Sequence, residues 1–469
     1  MNLWTTWFDC VNQLRSACSR QKTFLWMIIV LIGISTRCGD IAGVTSIIRA
    51  LGLEPYYYNR LLDFFHSPAL NLKLLVSLWA QLVIKIFSSA LVTVNGRYVL
   101  VGDGIKIAKE GKKMPAVKSL HQESDSNTKA EYIMGHSCQA VAILAGAAKG
   151  FFAIPLLSEI HEGLVFSNRC ARTLYDKLLQ ALQRLAINAP YYFVADAYYA
   201  VAKMARGLLE QGNHLITRVK KNAIAYMEVK PNSRKNKRGR PKKYGKKIKL
   251  RCLFDDFDKF ICAESSIYGE EKINIYFREI NLFWRSAGLM VKFIAAIHPV
   301  RGKILLMCTD LNLSALDIIK LYGLRFKIEV SFKQSLRTVG VYAYHFWMKK
   351  MKSIKRKSGN QYLHHKTAQY RNSVKRKMGA YHRYIQLGLI AQGLLQYLST
   401  MHPAIVWKQF GSWLRTIRPG IPPSEQVTAM ALKNSLSEFL ADKNSEQIFK
   451  IFIREKIDTS RLEGLRLVV

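Results

Sequence analysis

Acidic residues are scarce in this chain: 32 Asp and Glu stand against 71 Lys and Arg, a formal net charge of +39 over 469 residues. Such an imbalance excludes cationic partners and fits a polyanion. Nucleic acid fits best, because phosphate neutralisation by Lys and Arg supplies most sequence-independent affinity. Patterned cysteine is also missing. The eight cysteines, at 10, 18, 38, 138, 170, 252, 262 and 308, contain no C-x-x-C pair and no Cys/His cluster at zinc spacing. A zinc module and a disulfide framework are thereby excluded, and reduced thiols in the cytoplasm are expected. Phe24 to Ile34 superficially resembles a signal peptide, but it has no small-residue cleavage site and falls short of the roughly 20 residues a bilayer span needs. It reads as a buried core helix, so no membrane role is expected. Internal repeats are absent.

What is present is ample apolar material, 49% of the chain, spread over a length that calls for two or three domains. Residues 1–92 read as helical throughout. Within them DIAGVTSIIRALGL and YYYNRLLDFF have the form of a helix, a glycine-containing turn and a second helix, a candidate DNA-binding unit. Residues 93–218 change period. RYVLVGDG reads as a strand ending at Asp103, CQAVAILAG and FFAIPLL as further strands, and YYFVADAYY as one ending at Asp196. Residues 219–299 combine a basic arm, with fifteen Lys and Arg between Arg218 and Arg251 against the single acid Glu228, and several strand-like segments. Residues 300–345 return to the α/β pattern and close with a helix through SALDIIKLYGLRFKIEVSFKQSL. Residues 346–469 hold a second basic tract, Lys349 to Arg383, expected to contact the backbone of element-end or target DNA, and then helices from Tyr384 onward. The fold class expected is α/β, a mixed sheet with flanking helices, interrupted by a β-rich insertion between helical N- and C-terminal regions.

The chemistry is expected where three carboxylates converge. Strand-end aspartates are common ligand positions in α/β sheets, and Glu329 shares a helical stripe with Tyr322, Arg325 and Lys333. Asp103, Asp196 and Glu329 at one point would repel each other, so a divalent cation is the natural counter-charge, and hard oxygen ligands favour Mg²⁺ or Mn²⁺. Two such ions would serve in-line attack on phosphorus. Arg325, Lys333 and Tyr322 would then hold neighbouring phosphates.

These residues, with TDLNLSALDIIKLYGLRFKIEVSFK, resemble the DDE transposases of bacterial insertion sequences, in particular the group with a Tyr-Arg-Glu-Lys signature and a β-rich insertion. The likeness covers roughly residues 95–345, and GLIAQGLLQYL resembles that family's C-terminal helix. Tyr322, Arg325 and Glu329 match the signature's spacing, whereas its lysine position holds Leu336, flanked by Lys333 and Arg337, either of which would take the phosphate contact. The resemblance implies an RNase H-like catalytic domain with Asp103, Asp196 and Glu329 as metal ligands. It also implies cut-and-paste transposition, through a hairpin at the element end or another excision route, on double-stranded DNA carrying terminal repeats and on target DNA. A homodimer in a synaptic complex, working at the nucleoid, follows from that activity. A tryptophan near the insertion stacks on a flipped base in such enzymes, and Trp284 beside Arg285 is the candidate. A metal-dependent nuclease without strand transfer, and a degenerate DNA-binding protein, remain as alternatives.

KRGRPKK, residues 237–243, resembles an AT-hook. Pro241 and Gly239 would let Arg238 and Arg240 lie along a narrow minor groove while Lys242 and Lys243 meet phosphates.

Overall fold

The computed structural model describes residues 2–122, 130–147, 150–229, 242–267, 269–411, 417–418, 420–442 and 447–460. Five helices lead the chain: α1 (Leu3–Asn12), α2 (Gln21–Thr36), α3 (Val44–Leu51), α4 (Tyr57–His66) and α5 (Leu72–Ile86). Helix α2 is apolar all round and is buried on every side from Phe24 to Thr36, as a core helix must be. Among the described residues no helix is long and apolar enough to cross a membrane. The expected helix pair is present as α3 and α4, with Gly52 in the left-handed conformation (φ 58°) ending the first.

The longer strands of a sheet of thirteen among the described residues are β1 (Arg97–Ala108), β2 (Tyr132–Ala147), β3 (Gly150–Ile160), β4 (Tyr191–Ala195), β5 (His214–Arg218), β6 (Asn274–Trp284), β7 (Leu289–His298) and β8 (Gly302–Cys308). β1 and β4 are parallel neighbours, as are β4 and β5. β2 runs antiparallel to β1 and to β3, and on the far side β8, β7 and β6 continue the same sheet antiparallel from β5. This mixed sheet with helices on both faces is consistent with an RNase H-like core. The strands of 219–299 extend that sheet rather than forming a separate one.

Period-2 alternation decides what each face carries. Val99 and Val101 of β1, Tyr192 and Val194 of β4 and Ile216 of β5 pack with Ile318, Leu321 and Ile328 on one face. Leu100, Phe193 and Leu215 pack with α6 (Leu174–Arg184) and α7 (Ala202–Leu209) on the other. β4 is buried along its whole length, which explains its unbroken apolar sequence. The alternation carries Asp103 to the face of Val99 and Val101.

Three expectations need correction. β1 does not end at Asp103; it continues to Ala108, because Ile105 and Ile107 pair with Cys138 and His136 of the long β2. The single helix through 321–333 is two: α8 (Ala315–Leu324) and α9 (Lys327–Gln334), followed by a π turn at Ser335–Val339. At the break, the N–H groups of Arg325, Ile328 and Glu329 bond carbonyls only three residues back, which overtightens and bends the axis. The C-terminal helical region begins before Tyr384: α10 spans Ala368–Met401, capped by Thr367, and buries Val374, Ala380 and Tyr381; Lys375 and Arg376 are exposed, while the half-buried Lys377 and Arg383 bond His66 and the carbonyls of Leu70 and Phe65. A helix can hold such a charge run because only one stripe needs to pack.

Candidate active site

Asp103 and Asp196 meet because their strands are adjacent. The last parallel pair between β1 and β4 is Gly102 with Ala195, so both aspartates lie one step beyond it, where β4 stops and β1 runs on. They line one cleft of about 540 Å³ with Gln139, His161, Glu162, Tyr198 and Tyr199. Asp196 also begins a 3₁₀ turn at Ala197–Tyr199, its Oδ1 accepting from the Tyr198 N–H at 3.0 Å. The Thr217 hydroxyl donates to the Asp196 carbonyl at 2.6 Å.

Glu329 arrives from α9 through Arg325. Arg325 Nη1 donates to Asp103 Oδ2 at 2.8 Å and Nη2 donates to Glu329 Oε1 at 2.8 Å. The guanidinium therefore bridges a carboxylate on the sheet and one on the helix. Two contacts fix α9 from behind. Gln392 of α10 donates to the Ser331 carbonyl and hydroxyl, both at 3.1 Å, and accepts from Ser335. Beyond the π turn, buried Arg37 of the N-terminal region donates to the carbonyls of Val339 and Gly340.

The charged groups act on one another. Burial pushes the Asp103 carboxyl up to about 6; Arg325 and the Gly104 N–H oppose that, and the charges of Asp196 and Glu329 add to it. Burial works against the charge on Arg325, yet Asp103, Tyr322 and Glu329 outweigh it and raise its pKa. Tyr322 is raised by burial, and Arg325 and Arg218 on one side and Asp196 on the other all act on it. The three carboxylates offer hard oxygen atoms only, a donor set that suits Mg²⁺ or Mn²⁺. Among the described residues no three His, Cys, Asp or Glu already stand at metal-binding spacing; Arg325 sits between two of the donors instead.

A family model described as DDE superfamily endonuclease matches residues 13–259, more than half of the chain. The chain belongs to that family. The matched stretch of this DDE family member contains Asp103 and Asp196 and ends before Glu329. No curated protein matches the chain. Among solved structures it is similar to the piggyBac transposase synaptic complex with hairpin DNA, determined by cryo-EM. The identity is 10%, the match covers 97% of this chain and 84% of that one, and the TM-score of 0.35 carries no weight.

The other candidate residues are dispersed. Lys333 and Arg337 are both exposed, on α9 and in the π turn. Trp284 lies at the end of β6, half-buried, and lines a separate cavity with Tyr226, Arg285 and Ser286. The Arg285 guanidinium stands 6.0 Å from the Tyr226 ring centroid. Lys242 is exposed, and Lys243 Nζ lies 5.8 Å from the Tyr244 ring centroid. Arg238 and Arg240 lie outside the described residues.

Several cleft residues escape sequence reading. His161 and Glu162 follow β3 directly, and Glu162 pairs with Lys118 at 2.8 Å. Burial holds the His161 imidazole neutral, down to about 4. Gln139 and His161 also line a second basin of about 600 Å³, walled by Lys73, Arg172, Lys177 and Arg184. A basic spacing on α6, Lys177 to Arg184 at i, i+7, was the one available signal for that basin.

Proposed function

We propose that this protein is a DNA transposase of the bacterial insertion-sequence type, which cleaves DNA at element ends and joins the freed 3′-hydroxyl to target DNA. The observation that carries the reading is the meeting of Asp103 and Asp196 one step beyond the last parallel pair of β1 and β4, with Glu329 tied to Asp103 by Arg325. Asp103, Asp196 and Glu329 would hold two Mg²⁺ or Mn²⁺ ions. Bound there, such ions supply an activated water or 3′-hydroxyl and stabilise the leaving oxygen.

The chain's own residues do the rest. Tyr322 and Arg325 border the carboxylates and orient the scissile phosphate, and the exposed Lys333 or Arg337 takes a flanking phosphate in place of the signature lysine. Trp284, with Tyr226 and Arg285 around its cavity, stacks on a base displaced from the duplex, as a hairpin at the element end would require. Lys242 and Lys243, continuous with Arg238 and Arg240, hold a flanking duplex, and α3 and α4 recognise the terminal repeat. Synapsis of two ends calls for a homodimer, and the work is cytoplasmic, on nucleoid DNA.

The family's description as endonucleases favours one further reading, a nuclease that cuts without joining. A joining assay separates the two. An end-labelled duplex ending in the element's terminal repeat, incubated with Mg²⁺ and a circular target, becomes covalently attached to the circle if the protein is a transposase. Labelled duplex that is cut and never joined would leave the nuclease.

A further inference from the structure

We propose that Arg325 occupies the cation position between Asp103 and Glu329 until metal arrives, and that its release onto a DNA phosphate couples metal binding to DNA binding. The inference rests on the three-carboxylate reading above and adds to it a thermodynamic link between two ligands.

The contacts are specific. One guanidinium spends one amino group on Asp103 Oδ2 and the other on Glu329 Oε1, each at 2.8 Å. The Asp103 and Arg325 side chains are only 19% and 18% exposed, so water screens that pair weakly. A Mg²⁺ ion takes oxygen ligands at about 2.1 Å, using lone pairs that here face N–H donors. Each of these oxygens keeps a second lone pair, but two cations on one weakly screened carboxylate repel. Metal entry therefore expels the guanidinium.

Arg325 is placed to leave. It stands at the break between α8 and α9, beside Tyr322, and its partner Asp103 lines the cleft. Its planar fork of donors matches a phosphate as well as it matches two carboxylates. Without an anion to receive it, expulsion exchanges two ion pairs for hydration alone. With a DNA phosphate in the cleft, the same arm exchanges two carboxylates for two phosphate oxygens. Metal therefore binds more tightly when DNA is present, and linkage requires DNA to bind more tightly by the same factor when metal is present.

The test is calorimetric binding of Mn²⁺ to the full chain at fixed ionic strength, with and without a short blunt duplex. It is paired with duplex affinity by fluorescence anisotropy, with and without Mn²⁺. The unaltered chain should show mutual enhancement of about 5- to 100-fold, equal in both directions. Arg325→Gln should bind Mn²⁺ about tenfold or more tightly than the unaltered chain when no duplex is present, with the enhancement gone. Arg325→Lys, which keeps the charge and cannot bridge both carboxylates, should fall between; it carries the test should the Gln variant not fold. An Arg325→Gln chain with Mn²⁺ affinity unchanged or weaker, or with the enhancement intact, overturns the proposal while leaving the metal site standing. Absence of Mn²⁺ binding in every form, duplex present or not, overturns both.

Discussion

Gly102 is the residue at which the fold and the site constrain each other most tightly. A Cβ added there would stand 2.2 Å from Phe193 Cζ and 2.6 Å from Cε2, where ordinary contact begins near 3.4 Å. Phe193 cannot simply move aside. It is fully buried in β4, with Tyr199 packed edge-on at 6.2 Å. Gly102→Ala should therefore destabilise by about 2–3 kcal/mol, the upper part of the range for overpacking a closed core. Relief would come from spreading β1 and β4, which carry Asp103 and Asp196 on their next residues. A misplacement of about 1 Å there costs on the order of 100-fold in rate. Thermal unfolding and Mg²⁺-dependent nicking of supercoiled plasmid read the two effects separately. Phe193→Leu shortens the obstructing ring, so in the Gly102→Ala background it should restore stability, with a favourable coupling of about 1–2 kcal/mol in the double-mutant cycle. Gly102→Ala with unchanged melting and nicking, or a coupling of zero, would refute the close approach of the two strands.

Other outcomes follow from the same geometry. The Asp103 carboxyl is raised to about 6 in the folded chain from an ordinary 3.8, so its ionised form opposes folding above pH 6. Stability of the metal-free protein should thus rise as pH falls through 6 toward 4, by up to about 3 kcal/mol from this group. Mn²⁺ affinity should fall over that window; calorimetry showing affinity independent of pH between 7 and 5 would contradict it. Arg37→Ala strands the carbonyls of Val339 and Gly340 and should cost about 3 kcal/mol in chemical denaturation; a loss below 1 kcal/mol would mean the contact matters little. Changing Lys73, Arg172 and Lys177 together to Gln should reduce the slope of log affinity for duplex DNA against log salt by about 2–3 if the second basin carries phosphates. An unchanged slope would place the DNA elsewhere.

Parts of this architecture are legible in the sequence because short-range physics sets them. The i, i+4 spacing of Arg325 and Glu329 becomes a 2.8 Å ion pair, and the all-round apolar run from Phe24 becomes a core helix. Asp103 stands beside a strand end, but not the end of its own strand. Gly104 looks like a strand stop, yet β1 continues, and what ends beside Asp103 is the neighbouring β4. That boundary is a property of pairing, invisible in either strand alone. The break at Arg325–Phe326 follows Gly323 by two residues, a weak signal because a lone glycine is also tolerated within a helix. Helix Ala368–Met401 hides its first half behind a charge run whose buried stripe is only Val374, Ala380 and Tyr381. Gln139 lies in β2, and His161 and Glu162 just past the end of its hairpin partner β3; they share no motif, and it is the pairing register of that hairpin that brings them to the cleft.

The most direct measurement is cleavage of a duplex bearing the element's own terminal repeat, in Mg²⁺, by the unaltered chain and by Asp196→Asn and Glu329→Gln. Each variant is also assayed for binding the same duplex. A carboxylate site built from Asp103, Asp196 and Glu329 predicts metal-dependent cutting at the repeat boundary that both substitutions abolish while binding survives. Cutting that persists in either variant, or binding with no cutting by the unaltered chain, would contradict it.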